Sequence, residues 1–135
     1  MSKSAIYTVN SSAQNVAVNG TISLGTIIRR YGPNLNLSGN AVSVSGGGYY
    51  DIDASITVAP TAAGNVTVTA YKDNVAIPGA TATGSTTAAN NPINLSISSI
   101  VREPCPCCEG LSNINFVLTG TASSVSNIAV VVEKL

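Results

Sequence analysis

The sequence predicts an all-β sandwich or barrel, on three observations. Apolar residues alternate with polar ones in short runs, turn signals part those runs about every ten residues, and helix formers are scarce. The alternation is clearest between Gly46 and Gly84, where Tyr50, Ile52, Ala54, Ile56 and Val58 take every second position. Val66, Val68 and Ala70 resume it after the break that ends at Gly64. A period of two puts one set of side chains on one face of a pleated strand. Val, Ile, Thr, Ser, Ala, Asn and Gly dominate while Glu, Lys, Gln and Leu are few, so strand and turn formers prevail over helix formers.

Each expected strand has its own boundary signal. Ala5–Val9 opens the chain, and Asn15–Val18 stops at Asn19-Gly20, a turn dipeptide. Thr21–Arg30 runs to Gly32-Pro33, and Asn34–Leu37 runs to Ser38-Gly39-Asn40. Ala41–Val44 leads to three glycines, Gly46 to Gly48, which allow positive φ before Tyr49–Val58. Asn65–Lys72 meets the polar turn Lys72-Asp73-Asn74. Ile77-Pro78-Gly79 then redirects the chain into Ala80–Thr86, and Asn90-Asn91-Pro92 precedes Ile93–Ile100. Asn113–Leu118 and Asn127–Glu133 complete the series. With no helical period, no repeat and no linker, residues 1–135 read as one domain.

The last strand region, Ser126 to Leu135, is nearly continuously apolar, as is Thr26-Ile27-Ile28 to a lesser degree. Such a run is buried on both faces. A two-sheet sandwich covers only one face of each strand, so a second subunit is the simplest cover for the other.

Composition narrows the function. Six basic and six acidic residues cancel, which leaves no electrostatic basis for gripping nucleic acid. Charged residues make up 9% of the chain, against ~25% in an ordinary domain, and a surface so neutral tends to associate. No run of ~18 apolar residues marks a membrane span. The first residues, Met1 to Asn10, lack the hydrophobic segment of a secretory signal, so assembly inside a cell is expected. With no histidine, no serine or cysteine near a base and no glycine-rich loop opening a helix, no catalytic site is expected, and no cofactor.

Three features resemble the C1q/TNF-like jelly-roll family in its bacterial and phage branch. They are Gly48-Tyr49-Tyr50-Asp51-Ile52, a glycine before an aromatic strand; Val68 to Gly79, a strand with a polar turn and Ile-Pro-Gly; and Ala129–Leu135, an apolar strand ending on Lys-Leu. The resemblance implies a ten-stranded antiparallel jelly roll that packs as a homotrimer about a three-fold axis. It implies a structural or display protein on the outside of a particle, such as a bacteriophage capsid decoration or head-fibre protein at the virion surface, with a capsid or fibre protein as partner. The alternative is a host- or glycan-binding tip of a phage fibre or of a spore or cell-surface filament. Tyr49, Asp51, Asp53, Val130 and Val132 are the residues assigned to the trimer interface. The chain departs from the family between Arg102 and Gly110, where a cysteine-rich insert replaces a short turn.

That insert holds Cys105, Cys107 and Cys108, which leave three readings open. Three thiolates suit a soft metal such as zinc, but the spacing is not that of a zinc ribbon and no histidine can complete the set. A disulfide, between subunits or within the loop, is the second reading, with Cys105 to Cys108 as the feasible local pair. Reduced thiols in a loop stiffened by Pro104 and Pro106 are the third. Asp51 and Asp53 alternate with core residues, so they point away from the interior toward a cation, a subunit contact or solvent. Arg29-Arg30 fit either a capsid contact or a solvated strand end. The five tyrosines are too scattered for a sugar-stacking platform.

Overall fold

The computed structural model describes residues 4–103 and 112–135, which form two six-stranded antiparallel sheets packed face to face. The strands are β1 (Ala5–Asn10), β2 (Gln14–Val16), β3 (Gly20–Thr21), β4 (Thr26–Tyr31), β5 (Leu35–Ser38) and β6 (Ala41–Val44). They continue with β7 (Gly48–Pro60), β8 (Gly64–Lys72), β9 (Val75–Thr86), β10 (Ile93–Glu103), β11 (Ser112–Thr119) and β12 (Ser123–Lys134). The first sheet has the order β10-β7-β12-β1-β4, with β2 also paired to β12. The second has the order β5-β6-β11-β8-β9, with β3 also paired to β11. Successive strands from β9 onward cross between the sheets, the connectivity of a jelly-roll sandwich.

The core lies between the sheets, where alternation predicts it. Tyr50, Ile52, Ile56 and Val58 from β7 meet Val66, Val68 and Ala70 from β8, all fully buried. Phe116, Ile114 and Leu118 of β11 and Ile128, Val130 and Val132 of β12 fill the rest. Tyr50 brings a phenol into this core and satisfies it by donating to the carbonyls of Ser45 and Gly46, at 3.0 and 2.9 Å. Burial, with the Glu103 carboxylate adding to it, pushes that phenol above its ordinary pKa.

Twelve strands form where the resemblance implies ten, and two expected elements differ. Thr21–Arg30 is not one strand, because the chain leaves the second sheet after β3 and joins the first at β4. Ile22 and Leu24 drop into the core at this crossing, and the Gln14 side chain holds both the N–H and the carbonyl of Ser23 at 2.9 Å. Gly25 ends the crossing with φ of 80°, where a Cβ would lie 2.3 Å from the Val9 carbonyl oxygen. Only glycine fits. The other difference is at Asp73 and Asn74, whose φ values of 51° and 67° make a tight hairpin turn. Strand β9 therefore starts at Val75, and Ile-Pro-Gly lies inside it beside a register shift between Thr69 and Tyr71 rather than redirecting the chain.

Candidate functional site

The outward face of the first sheet carries apolar side chains at several of its strand positions. Directly opposed residues in an antiparallel pair lie on the same side, so register gives the rows of this face. One row, from β10 to β4, reads Ile100, Asp51, Glu133, Ala5, Tyr31. The next reads Ser98, Asp53, Val131, Tyr7, Arg29, and a third reads Ser96, Ser55, Ala129, Val9, Thr26. Down the middle runs a half-buried apolar stripe of Val131, Ala129, Tyr7 and Val9. The flanks carry exposed apolar side chains as well: Tyr49, Ile100 and Leu135 on one side, Ile28 and Tyr31 on the other.

Most acidic groups of this face gather on one flank. Asp51 and Asp53 on β7 and Glu133 on β12 form an acidic flank, with Arg102 at its end opposite Tyr49. Burial first, and Asp53 second, hold the Asp51 carboxyl above the ordinary carboxylate pKa, against a lowering hydrogen bond from the Ile52 backbone. Asp53 accepts a hydrogen bond from Ser98 Oγ at 2.9 Å. Arg29 stands on β4 at the far side, exposed, with its guanidinium donating to the neighbouring Ile28 carbonyl at 3.1 Å. The adjacent Arg30 lies opposite Ile6 and turns toward β5, donating to the Leu35 carbonyl. Beside Asp53 the face dips into a hollow of about 310 Å³, floored by Ser55, Ser96, Ser98 and Ala129 and walled by Val131.

The assigned interface residues divide by strand parity. Tyr49, Asp51 and Asp53 do lie on the outward face, with Tyr49 53% exposed. Val130 and Val132 do not: both are fully buried in the chain's own core, opposite Ala54 and Ile52. The outward side chains of β12 are instead Ala129 and Val131, which the uniform apolar run concealed. Tyr7, Val9 and Ile100 belong to the same face, and the alternation of Ala5–Val9 was the available signal for the first two.

A second feature lies along the seam where edge strands β9 and β10 run side by side. A cleft of about 460 Å³ there is lined by Val75, Ala76, Pro78 and Ile100, with Lys72 and Arg102 at its rim. At the same end, Ser112 Oγ donates to both carboxylate oxygens of buried Glu103, at 2.9 and 2.7 Å, and Lys72 Nζ lies 3.5 Å away. This clasp joins the two residues that bracket the cysteine-rich insert. Cys105, Cys107 and Cys108 themselves lie outside the described residues, and no metal-binding group of acidic or sulfur side chains occurs among the described ones. No helix of the described residues is long and apolar enough to cross a membrane.

No family profile and no curated protein matches the sequence. Solved structures match its fold over nearly the whole chain. A TNF, Eiger of S. frugiperda, superposes with a TM-score of 0.69 at 14% identity, over 98% of this chain and 91% of that one. The globular domain of zebrafish complement 1qA gives 0.64 at 6% identity, over 97% and 95%. The PRD1 vertex protein P5 gives 0.61 at 15% identity, over 98% and 96%. The chain thus has the C1q/TNF-like jelly-roll fold expected from its motifs.

Proposed function

We propose that this chain is a non-enzymatic structural protein that assembles as a homotrimer and is displayed on the outside of a bacteriophage particle. The observation that carries the reading is the first sheet's outward face, where an apolar stripe runs between acidic and basic flanks. Leaving Val131, Ala129, Tyr7 and Val9 against water is unfavourable, at roughly 25 cal/mol for each Å² of apolar surface, and covering them with further copies recovers that free energy. Trimeric closure is what the C1q/TNF-like resemblance implies, and a vertex protein among the matching structures supports placement on a virion.

The mechanism is interfacial. Three copies turn their first sheets toward a common axis, and the second sheets, with the loops between them, face outward. Two measurements test it. Light scattering on the purified protein is expected to give three times the 13.6 kDa chain mass. Gold-labelled antibody against the chain is expected to decorate the exterior of purified particles from the producing lysate. Labelling only of disrupted particles, or of none, would remove the display reading.

A further inference from the structure

We infer that the contact between copies is charge-matched: Arg29 on β4 of one copy docks against the Asp51–Asp53 flank of the next, beside the hollow on β10, β7 and β12. The inference rests on the homotrimer reading above and supplies the pairing that orients it.

The argument begins with separation. Asp53 and Arg29 share a row but stand three strands apart, about 14 Å at ~4.8 Å per strand. That exceeds the screening length of about 8 Å at physiological salt, so neither charge stabilises the other within a chain. Among the described residues the ion pair is instead Lys72 with Glu103; on this face Arg102 stands at the end of the acidic flank, yet neither Asp51, Asp53 nor Arg29 is held in an ion pair. Shape agrees with charge. The hollow beside Asp53 is floored by small side chains, and the apolar groups that project around Arg29 are Ile28 and Tyr31, 45% and 60% exposed. A second copy that sets β4 over the hollow covers those groups, fills the depression and brings the guanidinium to two carboxylates. Asp51, whose carboxylate is disfavoured first by burial and second by Asp53, gains from an arriving cation. A stranger with a basic apolar patch would fit as well, but the sequence itself supplies one in each copy.

Dilution series by analytical ultracentrifugation test this on the full chain at low and high salt. The variants are Arg29→Glu, Asp53→Arg and the double exchange, with Arg29→Gln as a milder control and circular dichroism as the check on folding. Each single reversal is expected to raise the half-dissociation concentration at least about tenfold, and the double exchange to recover most of that loss. Arg29→Gln is expected to weaken association less, and with a shallower salt dependence. An assembled wild type whose dissociation ignores Arg29→Glu, or a double exchange that recovers nothing, overturns the pairing and leaves the homotrimer reading standing. A wild type of one-chain mass overturns both. A two-chain mass with full recovery keeps the pairing and overturns the trimer.

Discussion

The outward faces of the two sheets rest on one shared core, yet their chemistry differs, although the second also carries half-buried Tyr71 and Val117. On the second sheet, Thr67 meets Thr83 and Thr69 meets Thr81 through hydroxyl contacts of 2.9 and 3.3 Å. Asn36, Asn65, Asn113 and Asn115 continue that face, and its outward strand positions carry no charge. Threonine methyls suit a strand while hydroxyls and amides suit water, so such a face is content in solvent. On the first sheet the same geometry presents Val131, Ala129, Tyr7 and Val9 between charged flanks. Strand formation demands none of those apolar groups, as the threonine ladder demonstrates. In the proposed assembly their presence answers a need for cover.

Substitutions can break or sharpen that contrast. The largest effect falls on what the two faces share: Phe116→Ala empties the fully buried centre of β11 and is expected to cost about 3–5 kcal/mol in chemical denaturation, whatever the state of assembly. Next comes a matched pair of half-buried outward valines, Val131 on the first sheet and Val117 on the second. Val131→Glu is expected to weaken association by about 2 kcal/mol or more, roughly thirtyfold, whereas Val117→Glu leaves the mass unchanged. Equal effects from the two would erase the contrast.

Smaller effects probe the ends of the faces. Ser112→Ala deprives the buried Glu103 carboxylate of a donor and is expected to lower stability by about 1–3 kcal/mol without changing the assembled mass. The smallest concerns acid. Asp51 is held above its ordinary pKa, so between the two values the folded single chain binds more protons than the unfolded one, and stability falls as pH rises through that window. Dilute single chains are therefore expected to melt slightly higher on acidification through the window than above it. Asp51→Asn is expected to abolish its share of that rise. If a neighbour's Arg29 docks there as inferred, it pulls the carboxyl back down and the dependence shrinks or reverses in the assembly.

The sequence made the sandwich legible wherever polar residues mark the phase of a strand. Asp51 and Asp53 between Tyr50, Ile52 and Ala54 fix which side is inside, and the structure agrees. In β12 every position from Ile128 to Val132 is apolar, so alternation has no phase to read. There the phase follows from the register shift between Val125 and Asn127 and from pairing with β7, both long-range facts. The break in Thr21–Arg30 was hidden for a similar reason, since what requires Gly25 is the carbonyl of distant Val9. The sequence left Arg29 open between a contact and a solvated strand end, because its position opposite Tyr7 depends on a bulge between Tyr7 and Thr8. The Asp73-Asn74 turn was visible, but Pro78 and Gly79 drew the boundary away from it.

The central claim is that copies of this chain cover the first sheet's outward face. Sedimentation equilibrium of the wild-type protein tests it most directly. Three times 13.6 kDa, falling toward one chain in Val131→Glu but not in Val117→Glu, is the predicted result. A wild type that sediments at 13.6 kDa across the concentration range would contradict it.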